Sequence, residues 1–155
     1  MLNHKKKGKQ NRAAGVRFEL KVRKDLEDKG WIVSKWMNNV EFGLRFVNGP
    51  AEGKLIPAKH KFRGPGIPMA IGTGFPDFIA HLQINSTEGE TTIHFDPEQN
   101  LYILHGIEVK SNGYLTKEEK EKCKWLLDND IFSKILIAKK GTKRGEIIYD
   151  EYKSN

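Results

Sequence analysis

The sequence predicts an α/β fold in which helices flank a central mixed β-sheet, in the order α-β-β-β-α-β, with a long insertion after the first strand. Three observations predict it. Apolar residues recur every fourth position in one segment, and short runs of β-branched and aromatic residues alternate with polar ones elsewhere. A strand, helix and strand near the C-terminus add a crossover connection, which is right-handed in nearly all proteins and places its helix on one face of the sheet.

The first predicted element is a helix from Ala13 to Lys29. Phe18, Val22 and Leu26 form one apolar stripe at four-residue spacing, as in a helix that packs against a core. Glu19 follows Phe18 directly, so its side chain is expected beside the buried stripe and not opposite it.

A strand is predicted at residues 31–37 (WIVSKWM), and residues 38–75 form the insertion. The insertion holds four of the six prolines and seven glycines, so it cannot be one regular element. Because structureless loops of this length are uncommon, we expect a hairpin that pairs Phe42–Val47 with part of Lys54–Phe62.

The strongest strand pattern lies at Leu101–Ser111, where alternate side chains point to opposite faces. Glu108 and Lys110 are therefore expected side by side on one face. Pro76–Gln83 also alternates as a strand does, and Thr92–Phe95 is a short apolar piece between the two.

Thr116 is predicted to open a second helix that runs to about Asp128. Glu119 stands three residues on, which is the spacing of a capping box. A strand is expected at Ile131–Ala138, and Glu146–Tyr149 can add a strand at the sheet edge.

Length and composition indicate a single domain over residues 13–155, preceded by a flexible basic tail at 1–12. The chain has 155 residues, of which 37% are hydrophobic and 30% charged. One cysteine excludes an intrachain disulfide. The basic N-terminal residues are not followed by the apolar region of a secretory leader, and no apolar run is long enough to span a bilayer, so neither secretion nor membrane insertion is expected. We expect a cytoplasmic protein without a membrane partner.

Positive charge predicts a polyanionic partner. The 27 Lys and Arg residues exceed the 20 Asp and Glu residues, which gives a net charge of +7. The first basic group lies at the start of the chain and comprises Lys5, Lys6, Lys7, Lys9 and Arg12. The second lies among phenylalanines in the insertion and comprises Arg45, Lys59, Lys61 and Arg63. The third lies near the C-terminus and comprises Lys139, Lys140, Lys143 and Arg144. The first two groups are predicted to bind nucleic acid, the second as an arm. The alternatives are a solvated chain end and an ordinary β-excursion with its aromatic residues in a small core.

Asp77 and Glu108 can supply carboxylate oxygens to Mg²⁺ or Mn²⁺ from adjacent strands, with the backbone carbonyl of Val109 as a further ligand. Lys110, on the same face as Glu108, can orient or deprotonate an attacking water or stabilise developing charge. This chemistry suits phosphodiester hydrolysis, in which a cation neutralises the phosphate and acidifies water.

The pattern Pro76-Asp77, thirty residues, Glu108-Val109-Lys110 resembles the PD-(D/E)XK nuclease superfamily. AAGVRFELKVRKDLEDKGWIVSK looks like the leading helix and first strand of archaeal Holliday-junction resolvases and VRR-NUC nucleases. IEVKSNGYLTKEEKEKCKWLL is similar to their catalytic strand and following helix. The resemblance covers about two-thirds of the chain. Relatives often carry a glutamine where this chain has Glu119, and the archaeal resolvases have a much shorter link before the first aspartate.

The resemblance implies a restriction-endonuclease-like core and a metal-dependent DNA endonuclease. It implies that Glu19 joins Asp77, Glu108 and Lys110 in the active site. We expect selectivity for branched DNA such as a Holliday junction, and a homodimer, since a four-way junction needs two symmetric cuts. Two alternatives are a VRR-NUC-like or restriction-type nuclease acting on flaps, ends or duplex sites, and a DNA-binding protein that keeps the fold without cutting.

Other chemistries have less support. The five histidines show no paired helical spacing and one cysteine cannot make a thiolate zinc site, which argues against structural zinc. His105 lies on the apolar face of its strand and is interpreted as a core histidine. His81 shares a face with Asp77 and could at most support it.

Overall fold

The computed structural model describes residues 2–43, 52–61, 70–71, 74–84 and 101–154. Within these ranges it contains two helices and nine strands. The helices are α1 (Leu2–Asp28) and α2 (Lys117–Asp128). The strands are β1 (Ile32–Lys35), β2 (Asn38–Phe42), β3 (Gly53–Pro57), β4 (His60–Lys61), β5 (Ala70–Ile71), β6 (Phe78–Ile84), β7 (Leu101–Val109), β8 (Lys134–Lys140) and β9 (Ile147–Glu151).

Five of the described strands form the central sheet, in the order β1-β6-β7-β8-β9. β7 and β8 are parallel, and the other neighbours are antiparallel, so the sheet is mixed as predicted. The parallel pair is joined through α2, which confirms the predicted crossover. β9 confirms the predicted edge strand, and β2–β3 and β4–β5 form separate two-stranded pairs.

One helix covers each face of the sheet. On one face α1 packs its stripe of Phe18, Val22 and Leu26 against strand residues that include Ile107. On the other face α2 contributes Cys123 and Leu126 to a second apolar cluster. Burial of these two sets of side chains provides the main driving force for the three-layer arrangement.

The predicted capping box of α2 is confirmed. The Thr116 hydroxyl accepts from the Glu119 amide at 3.3 Å, and the Glu119 carboxylate accepts from the Thr116 amide at 2.8 Å. These bonds satisfy two amides that a helix start otherwise leaves unpaired.

The start of α1 differs from the prediction. The helix begins at Leu2 and not at Ala13, so residues 2–12 are helical instead of forming a tail. The predicted boundary came from the apolar stripe, which begins only at Phe18. Lys, Gln, Arg and Ala are strong helix formers, and they extend the helix through a stretch with no apolar periodicity.

The insertion contains a hairpin, but its first strand was misplaced. β2 spans Asn38–Phe42 instead of Phe42–Val47, and it pairs with β3 in the register Phe42↔Gly53. Val40 is buried with Phe42 beside it in the cluster under α2. The hairpin therefore packs against the core, which favours the alternative of an ordinary β-excursion for this part, and nucleic-acid contact by its basic residues stays a prediction. Phe46, Phe62 and Thr92–Phe95 lie outside the described residues.

Gly74 and Gly15 provide a test of backbone packing. A Cβ at Gly74 would overlap the carbonyl oxygens of Trp36 and Asn38, whereas a Cβ at Gly15 meets nothing. We expect Gly74→Ala to destabilise the protein by about 1–3 kcal/mol through overpacking, and Gly15→Ala to stabilise it by about 0.5–1 kcal/mol. Urea unfolding midpoints would measure both, and equal effects would contradict the close approach at Gly74.

Candidate active site

The predicted site residues line one open cleft of about 1020 Å³ at the end of the sheet. Glu19, Asp77, Glu108 and Lys110 all contribute to its wall. The hairpin supplies Glu41 to the wall, the segment between β3 and β4 supplies Lys59, and α2 contributes residues from its first turns. The tertiary structure thus brings together residues from the first helix, two strand ends and the crossover.

Strand register places Asp77 beside Glu108. β6 and β7 pair with Phe78 opposite Ile107. Continuing this antiparallel register by one position, back to the residue before β6 and forward along β7, brings Asp77 next to Glu108. Side chains of directly opposed residues project from the same face, with Cβ atoms about 4.5–5.5 Å apart. Two acidic residues that are far apart in the sequence are therefore neighbours in the cleft.

Backbone groups of Val109 fix this geometry. The Val109 amide donates to the Asp77 carboxylate at 3.0 Å. The next amide, of Lys110, donates to the Ala138 carbonyl on β8 at 2.9 Å. Because a trans peptide holds its C=O and N–H on opposite sides, the Val109 carbonyl points away from β8, toward the side on which Asp77 lies. This supports the prediction of Val109 as an oxygen donor.

Burial and like charge act together on the two carboxylates. Glu108 is 5% exposed, and no other polar or charged side chain in the described part of the chain is classed as buried. Its burial, followed by the negative charge of Asp77, raises the pKa of Glu108 to about 8. Burial also raises the pKa of Asp77, although its hydrogen bond from Val109 opposes the shift. A nearby positive charge therefore stabilises the ionised form of both carboxylates.

Lys110 supplies one such charge. Its ammonium lies 3.1 Å from Glu108 Oε1 and 2.6 Å from Glu119 Oε1. Burial lowers the pKa of Lys110, but the hydrogen bond to Glu119 and the attraction of Glu108 outweigh it, so the net pKa is raised. Lys110 is accordingly held in its charged form. Glu119 both caps α2 and anchors this lysine, and only the capping role was predicted.

Lys35 supplies a second charge and was missed by the sequence analysis. Its ammonium lies 2.8 Å from Glu19 Oε2 and 3.6 Å from Asp77 Oδ1, and 4.5 Å from the ring centre of Phe78. The Lys35 ammonium therefore bridges the carboxylates of Glu19 and Asp77. A single lysine in a short strand carries no sequence signal for this role, because the role depends on β1 lying beside β6.

The cleft offers a small set of oxygen donors to a hard divalent cation. Among the described residues, no three side chains of His, Cys, Asp or Glu converge as a metal site. Mg²⁺ usually takes one or two protein carboxylates and keeps several waters. Asp77, Glu108 and the Val109 carbonyl meet this smaller requirement, and their mutual repulsion favours a cation between them. Glu19, already paired with Lys35, fits an outer position better than a direct ligand.

The predicted nucleic-acid contacts are placed only in part. The side chains of Lys7 and Arg12 are exposed on α1. Lys59 is exposed at the cleft and pairs with Glu41. Arg45 and Arg63 lie outside the described residues, as do the side chains of Lys5, Lys6, Lys9 and Lys61.

The two singled-out histidines lie away from the cleft wall. His105 stacks on Trp31 with ring centres 4.8 Å apart, and burial lowers its pKa. Its Nδ1 atom is buried without a partner among the described residues. This agrees with a packing role on the face of α1. The ring of His81 meets that of Tyr102 edge to face.

Comparison of the chain with protein-family models, with curated proteins and with solved structures gives no significant match. The functional conclusion therefore depends on the geometry and chemistry of the cleft. Neither helix of the described residues combines the length and the apolar character needed to cross a bilayer.

The raised pKa of Glu108 predicts a pH dependence of stability. Between the usual pKa of glutamate and about 8, folded Glu108 keeps a proton that the unfolded chain has released. The free energy of unfolding should therefore fall as the pH rises through this interval, by about 1.4 kcal/mol for each unit of separation. Glu108→Gln removes this term. In buffer with EDTA, urea unfolding should show a steeper decline for wild type than for the variant, and parallel curves would contradict the burial of this carboxyl.

Proposed function

We propose that this protein is a divalent-metal-dependent nuclease with a PD-(D/E)XK, restriction-endonuclease-like core, which hydrolyses phosphodiester bonds in DNA. One observation carries the proposal. The buried carboxylate of Glu108 and the partly buried carboxylate of Asp77 lie at neighbouring ends of β7 and β6 in an open cleft, with the charged Lys110 beside Glu108.

The need for a metal follows from charge. A phosphodiester is anionic, and a cleft with two carboxylates repels it unless a cation offsets them. Asp77, Glu108 and the Val109 carbonyl would hold Mg²⁺ or Mn²⁺. When bound, such an ion supplies charge neutralisation at the phosphate and lowers the pKa of a coordinated water.

Lys110 acts as a cation in the proposed mechanism. Its raised pKa disfavours the neutral amine that a general base requires. As a charged donor it orients the attacking water and stabilises negative charge on the phosphate oxygens. Glu119 holds the ammonium from the far side at 2.6 Å, and so limits its movement.

The first half of α1 supports an anionic partner. No acidic residue precedes Glu19, and this stretch carries Lys5, Lys6, Lys7, Lys9, Arg12 and Arg17. In the described part of the structure the side chains of this stretch are exposed up to Arg17, and burial begins at Phe18. A basic, solvent-exposed helix suits contact with DNA phosphates.

We infer branched DNA, cut by a homodimer, as the preferred substrate arrangement. Synthetic junction, flap, blunt-end and linear duplex substrates would separate the possibilities. Paired symmetric nicks in a junction support resolvase-like cutting. Preferential cutting of flaps, ends or a defined duplex site instead supports the VRR-NUC-like or restriction-type activity.

Substitution of the cleft residues tests the catalytic assignment. Asp77→Asn, Glu108→Gln and Lys110→Ala are each expected to lower Mg²⁺-dependent cleavage by at least about 100-fold. DNA binding in EDTA should be retained, and above about pH 8, where Glu108 is ionised, it should be tighter for the first two variants because negative charge is lost. Gel assays of cleavage and fluorescence anisotropy of binding would measure both.

Lys124→Ala is the matched control, because Lys124 is exposed on α2 and pairs with Asp128 away from the cleft. It should cleave as wild type does. Wild-type binding without cleavage in any divalent ion would instead favour the non-catalytic DNA-binding protein. Equal cleavage by all the variants would remove these residues from the mechanism.

The charged role of Lys110 gives a separate prediction. Arginine stays protonated in proteins, so Lys110→Arg can replace a cation but not a base. We expect this variant to cleave at least about tenfold faster than Lys110→Ala. Single-turnover rates would measure the difference, and equally inactive variants would favour the general-base role.

A further inference from the structure

A second cavity, of about 370 Å³, lies between α1 and the turn that joins β8 to β9. Phe18 and Ile147 give it an apolar wall. The remaining lining is mainly basic or backbone, with Lys21 from the helix and Lys140, Lys143 and Arg144 from the turn. None of these cations lines the cleft that holds Asp77 and Glu108.

These four cations have no carboxylate partner among the described residues, whereas many lysines elsewhere on the surface are paired. Lys140 instead lies 5.6 Å from the ring centre of Phe18. All four side chains are exposed. Unpaired cations gathered at one concave surface attract anions, because no carboxylate of the described residues forms an ion pair with them.

The single acid of the turn is engaged by the turn itself. Glu146 Oε2 accepts from the Lys143 amide at 3.1 Å and from the Thr142 hydroxyl at 3.5 Å. The Gly141 amide donates to the Glu146 carbonyl at 2.9 Å. Glu146 thus stabilises the shape of the turn and forms no ion pair with Lys143 or Arg144 among the described residues.

The cavity and the cleft share one end of the sheet. β7 and β8 are parallel, so Lys110 after β7 and the turn after β8 emerge together. The Lys140 amide donates to the Ser111 carbonyl, one residue past Lys110, at 3.3 Å. Helix α1 separates the two sites: Phe18 lines the cavity, and Glu19 lines the cleft.

We propose that Lys21, Lys140, Lys143 and Arg144 form a phosphate-binding site for the DNA backbone, separate from the cleft in which the bond is cut. This rests on the proposed function for its ligand. In this proposal a duplex bound in the cleft also contacts the β8–β9 turn through a second backbone phosphate, because both sites lie at the same end of the sheet. The site contributes affinity and position, without base specificity.

Binding of a short fluorescein-labelled DNA duplex in EDTA tests the site independently of cleavage. Lys143→Ala/Arg144→Ala should bind about tenfold more weakly. A plot of the logarithm of the association constant against the logarithm of the salt concentration should have a negative slope that is smaller in magnitude by about one to two, since each phosphate contact contributes about 0.9. Lys143→Arg/Arg144→Lys should bind as wild type does. The matched control, Lys124→Ala/Lys153→Ala, removes the same charge from exposed positions away from both sites and should have less effect on affinity.

Cleavage kinetics separate this site from the proposed activity. For Lys143→Ala/Arg144→Ala, KM should rise while kcat at saturating DNA stays within about twofold of wild type. Wild-type cleavage with unchanged binding and salt slope in the variant would overturn the phosphate site alone. A wild-type protein that neither binds nor cleaves DNA would overturn both proposals. Circular dichroism would confirm that the variants are folded.

Discussion

Asp77 and Glu108 carry charges of the same sign, lie side by side at the ends of paired strands, and are largely removed from water. Each of these conditions disfavours ionisation, and together they raise both pKa values. Two lysines supply positive charge to this pair: Lys35 lies beside Asp77, and Lys110 lies beside Glu108. The contacts of these lysines offset the repulsion between the two acidic side chains.

The ends of β6 and β7 bring this pair of acidic residues together without a break in either strand. The antiparallel pairing of β6 and β7 ends at Phe78 and Ile107, and the flanking residues, Asp77 before β6 and Glu108 on β7, line the cleft. Past this point the sheet ladder no longer takes up the Val109 amide, so it is free to bind the Asp77 carboxylate. A strand end thus combines a rigid backbone with unpaired polar groups, which suits a site that must orient charged ligands.

Positive charge serves two different purposes around the proposed site. Lys35, Lys110 and Lys59 form ion pairs with acidic residues inside the cleft or on its wall, where they balance local negative charge. The basic residues of α1 and of the β8–β9 turn lie outside it, and those that the structure describes in the turn lack such partners. Among the described residues, the unpaired cations of the turn therefore lie outside an acidic cleft. Such a distribution suits the proposed binding of a polyanion and its proposed hydrolysis with a bound cation.

Much of the fold was predictable because it follows from local patterns. The amphipathic stripe of Phe18, Val22 and Leu26, the alternation around Glu108 and the capping box at Thr116 each depend on residues close in sequence. The same alternation predicted that Glu108 and Lys110 share a face. Helix extension to Leu2 was missed because it depends on helix propensity without an apolar pattern, and the hairpin was misplaced because its register depends on packing under α2.

The candidate site was predictable as a set of residues, through the spacing of Asp77, Glu108 and Lys110, but its electrostatics were decided by the tertiary structure. Lys35 meets Glu19 and Asp77 only because β1 lies beside β6 and under α1. Glu119 meets Lys110 only because the crossover returns α2 to that end of the sheet. Sequence by itself determined which side chains could take part, since residue type and periodicity are local. Their pKa values and partners were decided by strand order and burial, which arise only when distant segments pack together.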